Sequence, residues 1–273
     1  MLTPILNRFI YRPDVTSAPS DFTPANLSLT YEEVFLRTKD GVTISGWYVI
    51  SPKPKGALLY LHGNGGDCRD WVQVAPRFVR EGYNLFILDY RGYGKSAGKP
   101  TEKGLYLDGD VAWEWIKERS SQNGIPTFIL GKSLGSGIAT WLATKHSPTG
   151  LILDSAFTSM REVIAFNAKW LPPILIPKMF ESLTRVEKIV CPTLVIHGDK
   201  DDLIPLSQGL RLYKRLQAPK ILGIIQGAGH NDIDSFNCYY HWVIDFMNDP
   251  MTFIREMKDE SETVFKSYLQ KRT

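Results

Sequence analysis

The stretch GKSLGSG, residues 131–137, follows the apolar run PTFIL (126–130) and precedes IATWLATKH (138–146). Its first three residues match the end of a phosphate-binding loop, and its first five match Gly-x-Ser-x-Gly. Spacing separates the two readings. A phosphate loop needs another glycine five positions ahead of Gly-Lys-Ser, so that successive backbone amides wrap the anion. That position is Pro126, which has no amide proton. A second such tripeptide, Gly94-Lys95-Ser96, has Asp89 at the required place, and Gly63-Asn64-Gly65-Gly66 opens like a dinucleotide fingerprint but carries Cys68 where its last glycine belongs. All three phosphate readings fail. Gly131-Lys132-Ser133-Leu134-Gly135 fills every fixed position of Gly-x-Ser-x-Gly, a pattern in which a serine occupies a sharp strand-to-helix turn and the flanking glycines let strand and helix close up around it.

Composition narrows the setting of that turn. The chain has 273 residues, a length at which α/β folds commonly form a single unit, and 43% of them are hydrophobic, enough for a substantial core. The 32 basic and 29 acidic residues are scattered rather than blocked, so no nucleic-acid stripe is expected. Cys68, Cys191 and Cys238 are too few and too dispersed for a disulfide framework or a Cys-x-x-Cys metal site, which fits a reducing, cytoplasmic compartment. The N-terminal MLTPILNRFIYRP is interrupted by Pro4, Asn7 and Arg8 and has no long apolar core or small-residue cleavage site; it is expected to pack across the domain surface, the alternative being a membrane-touching foot.

From about residue 32 apolar strands alternate with helical stretches, which predicts an α/β fold: about eight strands in a mostly parallel sheet with helices on both faces. EEVFLRT and VTISGWYVI flank Lys39-Asp40-Gly41 and predict an antiparallel hairpin at the sheet's edge. GALLYLH, NLFILDY, PTFILG, LILDS, TLVIHG and KILGIIQG then predict strands joined by crossovers. The interval between LILDS and TLVIHG is longer than one crossover helix needs, and its apolar run Trp170-Leu171-Pro172-Pro173-Ile174-Leu175-Ile176-Pro177 is broken by prolines. It predicts a small cap at about 156–190, with Trp170, Leu171 and Ile174 as substrate-facing candidates and packing into the core or against a membrane as alternatives. Residues 31–250 form the expected domain, residues 1–30 an N-terminal extension, and residues 251–273 an amphipathic helix with apolar positions Ile254, Met257, Val264, Phe265 and Tyr268.

A serine hydroxyl attacks a carbonyl only with a base in hydrogen-bond reach and a carboxylate to orient that base. His146 and His241 sit in helical patterns, whereas His62, His197 and His230 lie where strands end, the location at which open parallel sheets collect reactive groups. Enzymes with this serine turn run serine, acid, histidine along the chain. His230 satisfies that order and leaves Asp199, Asp201 and Asp202 as candidate acids; the residues alone do not choose among the three. His197 is expected to be a structural turn residue. Two donors are needed for an oxyanion: the amide of Leu134, directly after the serine, and that of Asn64 in the loop HGNGG after an early strand.

With these residues placed, the chain resembles the α/β-hydrolase superfamily, and within it the alpha/beta-hydrolase domain-containing proteins 13 and 17 and the bacterial hydrolases grouped with serine aminopeptidases. The likeness spans about residues 30–248 and rests on LHGNGGD, DYRGYGKSAGKPTEKGLYLD, LGKSLGSG, VIHGDKDDLIP and GAGHNDI. It implies Ser133 as nucleophile, His230 as base, Asp201 as acid through His-Gly-x-x-Asp-x-x-[Ile/Val]-Pro, and Asn64 and Leu134 as oxyanion donors. It also implies hydrolysis of carboxylic esters or thioesters without metal or cofactor, and for the seventeen-type proteins removal of palmitate from protein cysteines. The lipid-modified N-terminus of the seventeen-type and the transmembrane anchor of the thirteen-type have no counterpart ahead of Arg8, so peripheral membrane contact is the most that is expected. A serine aminopeptidase, and a non-catalytic binder of acylated partners, are the rival readings; the sequence leaves oligomeric state open.

Overall fold

The computed structural model describes residues 3–270. Its eight strands belong to a mostly parallel sheet, and the chain divides into two compact units, Met1–Leu130 and Gly131–Thr273.

The first unit opens with α1 (Thr3–Ile10), which buries Leu6 and Ile10 and leaves Phe9 in solvent. Strands β1 (Thr30–Arg37) and β2 (Thr43–Ile50) form the antiparallel hairpin in continuous register from Thr30 opposite Ile50 to Arg37 opposite Thr43. β1 is exposed or half-buried everywhere but at Val34, as an edge strand can be, whereas β3 (Gly56–Leu61) and β4 (Tyr83–Asp89) are buried at every position and therefore read as unbroken apolar runs. β4 pairs antiparallel with β2 and parallel with β3. Helices α2 (Cys68–Trp71) and α3 (Ala75–Arg80) connect β3 to β4, and α4 (Glu102–Gln122), capped by the Thr101 hydroxyl on the Gly104 amide, leads into β5 (Thr127–Lys132). Beyond β4, Arg91 is buried against Asp108 of α4, with Nε 2.9 Å from Oδ1, and reaches Asp40 of the hairpin turn at 2.8 Å.

In the second unit α5 (Leu134–Ala143) follows the serine turn, and β6 (Gly150–Asp154), β7 (Thr193–Gly198) and β8 (Lys220–Ile225) pair in parallel. The cap between β6 and β7 holds α6 (Met160–Asn167), a single turn at Pro173–Leu175 and α7 (Ser182–Arg185). Leu171, Ile176 and Phe180 are buried, and the Phe180 ring meets Phe157 edge-on at 6.3 Å. α8 (Leu206–Arg215) links β7 to β8, and α9 (Asn237–Asn248) and α10 (Pro250–Gln270) complete the unit. In α10 Ile254 is buried, Phe265 meets Tyr213 edge-on at 5.2 Å, and the Ser261 hydroxyl accepts the Leu222 amide at 2.9 Å. Residues 1–2 and 271–273, and the side chains of Val264 and Tyr268, lie outside what is described. No helix among the described residues is long and apolar enough to cross a membrane.

Candidate active site

Ser133 stands between β5 and α5 with φ 52° and ψ −117°, a backbone state costing roughly 1–3 kcal/mol for a residue with a Cβ. The surroundings hold it there. Its amide donates to the Asp154 carbonyl at 2.9 Å, and its carbonyl accepts from the Ser136 amide at 2.9 Å and hydroxyl at 2.7 Å. Gly131 is required by contact: a Cβ there would lie 2.5 Å from the Gly135 carbonyl oxygen and 2.6 Å from Ala139 Cβ.

Two loops bring the other side chains in. After β7, Asp201 turns back on itself so that Oδ1 accepts the amides of Leu203 at 3.0 Å and Ile204 at 2.7 Å, leaving Oδ2 for other partners. After β8, the loop carrying His230 turns at Gly227, whose φ of 82° favours glycine, and is braced by the Gly227 amide on Asp199 Oδ1 and the Gly229 amide on Asp232 Oδ1, each at 2.7 Å. His230 Nδ1 then lies 2.7 Å from Asp201 Oδ2, and its Nε2 lies 3.0 Å from Ser133 Oγ. All three residues are buried. The aspartates that sequence order left equivalent occupy distinct positions: Asp199 braces the histidine loop, Asp201 meets His230, and Asp202 is exposed.

Burial by itself would raise the Asp201 carboxyl, but hydrogen bonds from His197 and His230 hold it well below the usual carboxylate range. These hydrogen bonds favour the carboxylate anion. His197, expected to be a structural turn residue beside the acid-bearing loop, has its Nε2 3.3 Å from Asp201 Oδ2. His62, in the first unit, is buried and pushed down to about 4 by desolvation, with Nδ1 on the Gly63 carbonyl side at 2.8 Å.

Of the remaining candidates, Leu134 is the first residue of α5, so its amide is one that helix geometry leaves without an intrahelical acceptor. Asn64 follows β3 in the first unit, where its carbonyl accepts the Arg12 amide at 2.9 Å and the Tyr93 hydroxyl at 3.0 Å. The N-terminal extension thus straps the Asn64 loop, and Thr16, Ser17 and Ala18 bind Asp70 next to it. In the cap, Trp170 and Ile174 are 77% and 86% exposed while Leu171 is buried. The side chain at the end of α6 reaches the acid loop, with Asn167 Nδ2 2.9 Å from the Leu203 carbonyl oxygen.

A mostly parallel sheet with a strained serine at a strand-to-helix turn is the framework of an α/β-hydrolase, and the Pyrococcus furiosus esterase Pf2001 has the same fold, with a TM-score of 0.74 at 23% identity over 88% of this chain and 97% of that one. Residues 52–183 match the Hydrolase_4 family, described as serine aminopeptidase, S33. Alpha/beta hydrolase domain-containing protein 17B of Homo sapiens is 34% identical over 220 residues, covering 79% of this chain and 74% of that protein. Protein bem46 of Schizosaccharomyces pombe is 30% identical over 236 residues, covering 82% and 79%. The chain belongs to the α/β-hydrolase family of the domain-containing protein 17 type, and it is a hydrolase.

Proposed function

We propose that this hydrolase cleaves carboxylic esters or thioesters through an acyl-enzyme formed on Ser133. The observation that carries the reading is the file of hydrogen bonds from Ser133 Oγ through His230 to Asp201, at 3.0 and 2.7 Å. With Nδ1–H donating to the carboxylate, the Nε2 lone pair faces the serine hydroxyl, which is the tautomer a general base needs. Ser133 Oγ attacks the acyl carbon as its proton passes to Nε2. The tetrahedral oxyanion is stabilised by the Leu134 amide, with the Asn64 amide assigned as second donor from its place in the chain. Collapse expels the alkoxide or thiolate, which takes the Nε2 proton. Water then gives a proton to Nε2 as its oxygen attacks the acyl carbon, and the second collapse releases the acid and returns the proton to Ser133. Asp201 stabilises the imidazolium in both halves.

The cap supports an acyl rather than an aminoacyl substrate. Trp170, Leu171 and Ile174 are assigned to the acyl chain, and a palmitoylated cysteine, the substrate class implied by likeness to the seventeen-type proteins, is a thioester of this kind. The family description favours a serine aminopeptidase as the second reading. That activity needs a carboxylate for the substrate's ammonium; the apolar cap offers mainly Glu162 and Glu181, and Glu162 is already gripped by both arms of the Arg211 guanidinium.

The deciding experiment compares the protein with Ser133→Ala on p-nitrophenyl esters, a palmitoylated peptide and an aminoacyl amide, alongside fluorophosphonate labelling. Loss of a serine nucleophile is expected to lower kcat by about 10⁴–10⁶-fold with the fold intact. Undiminished ester turnover by Ser133→Ala sinks the assignment of the nucleophile, and failure of Ser133 to label points instead to a binder of acylated partners.

A further inference from the structure

Asp154 ends β6 with its carboxylate fully buried, and three side chains converge on it. Lys132 Nζ and the Tyr239 hydroxyl donate to Oδ2 at 3.0 and 2.9 Å, and the Ser155 hydroxyl donates to Oδ1 at 2.9 Å. The carbonyl of the same residue accepts the Ser133 amide at 2.9 Å. None of these groups takes part in the acyl-transfer steps.

A buried lysine–aspartate pair is a poor way to stabilise a core, because desolvating two charges offsets most of their attraction and an apolar pair of similar volume commonly does as well. An apolar pair has no direction, however, and this cluster joins three specific points. Lys132 is the residue before the nucleophile, Asp154 holds the nucleophile's amide, and Tyr239 stands in the first turn of α9, the helix into which the His230 loop runs.

We propose that Asp154, together with Lys132 and Tyr239, is a positioning device that fixes the serine turn against the histidine loop and so maintains the Ser133 Oγ to His230 Nε2 contact. The proposal rests on the nucleophile and base assigned above. Lys132 is the only cation in the cluster and Asp154 its counter-charge, so the serine turn is not left beside an uncompensated charge. His230 itself faces Ser133 and Asp201, and Asp201 faces His197.

Tyr239→Phe removes one hydrogen bond with little change of volume, and it is the primary test; Asp154→Asn and the uncharged pair Lys132→Gln/Asp154→Asn accompany it. Small displacements of reacting groups cost large factors in rate, so Tyr239→Phe is expected to lower kcat about tenfold with KM within about twofold of the parent. The proton on His230 Nδ1, observed by NMR, should broaden or shift in the same variant. Asp154→Asn should lose more, and the double variant should recover part of that loss. A purely structural role would lower Tm while leaving kcat of the folded protein and the Nδ1 proton unchanged, and that result overturns the proposal. If Asp154→Asn does not fold, Tyr239→Phe decides. Fluorophosphonate labelling of the parent keeps the two failures apart: an unlabelled parent removes the acyl-enzyme reading, whereas a labelled, active parent with an indifferent Tyr239→Phe removes only the positioning role.

Discussion

His197 Nε2 lies 3.3 Å from Asp201 Oδ2, the same oxygen that meets His230 Nδ1 at 2.7 Å. One carboxylate oxygen therefore sits between two imidazoles. His197 Nε2 is also 2.8 Å from the Ile204 carbonyl oxygen, so Nε2 carries the proton, since both neighbours are acceptors. Its Nδ1 is buried with no hydrogen-bond partner among the described residues. His197 thus presents an Nε2 donor to the same carboxylate that His230 meets.

Asp201→Asn tests this arrangement. The carboxamide preserves shape but neither favours the Nδ1–H tautomer of His230 nor stabilises the imidazolium, and kcat is expected to fall roughly 10³–10⁴-fold with a much smaller change in KM. Because Asp201 is already ionised, the acid limb of kcat/KM in the parent should follow loss of a single proton. A two-proton limb, or an Asp201→Asn enzyme within tenfold of the parent, would count against the assignment.

The positions legible in the sequence are those where one local rule suffices. β3 and β4 are buried at every position and appear as apolar runs; the hairpin follows from its turn residues; Ser133 is marked by glycines that contact alone demands. The choice of Asp201 over Asp199 and Asp202 was open at the level of residues because a loop's side-chain directions depend on its turn geometry rather than its composition. The Lys132–Asp154–Tyr239 cluster left no local signal, since its members meet across long stretches of chain and two of them look like ordinary polar strand ends. The cap run was also ambiguous. Its prolines destroy the period that would have separated buried Leu171 and Ile176 from exposed Trp170, Ile174 and Leu175.

In the first unit His62 Nε2 stands 4.0 Å from Asp89 Oδ1, and burial moves the two groups in opposite directions, His62 down to about 4 and Asp89 up to about 7. A carboxyl raised on folding contributes stability that is present below its unfolded value and is lost as pH rises through the folded one. The lowered histidine does the reverse, gaining stability as pH rises from about 4 to its ordinary 6.5. Asp89→Asn removes only the first contribution. Relative to the parent, the variant should gain about 2–3 kcal/mol between pH 5 and pH 8, taking roughly two pH units at about 1.4 kcal/mol each. Urea denaturation at the two pH values measures it, and a difference that does not grow with pH contradicts the burial argument.

Arg91 is buried between Asp108 and Asp40, with its Nε 2.9 Å from Asp108 Oδ1 and its amide 2.8 Å from Asp108 Oδ2. Asp108→Ala leaves a buried guanidinium with one of its two counter-charges gone. A loss of about 3–5 kcal/mol in the urea unfolding free energy is expected, the range for breaking a buried pair by removing one partner. Replacing Lys95, whose pair with Glu33 is at the surface, should cost no more than about 1 kcal/mol. Equal costs for the two replacements would show that burial is not what makes the Arg91 pair important.

Trp170 and Ile174 are large apolar side chains left in solvent on a segment that begins directly after the residues holding Ser133 and is tied by Asn167 to the acid loop. If they receive an acyl chain, their contribution must grow with chain length, because each methylene taken out of water contributes about 0.8 kcal/mol. Trp170→Ala/Ile174→Ala should therefore leave kcat/KM for a p-nitrophenyl acetate nearly unchanged and lower it for a long-chain ester by about tenfold or more, the equivalent of losing contact with roughly two methylenes. The effect should appear chiefly in KM, since it removes binding shared by ground and transition states. A loss of equal size for short and long esters would instead mean that the cap supports the catalytic loops mechanically, and Trp170 and Ile174 would cease to be candidates for chain recognition.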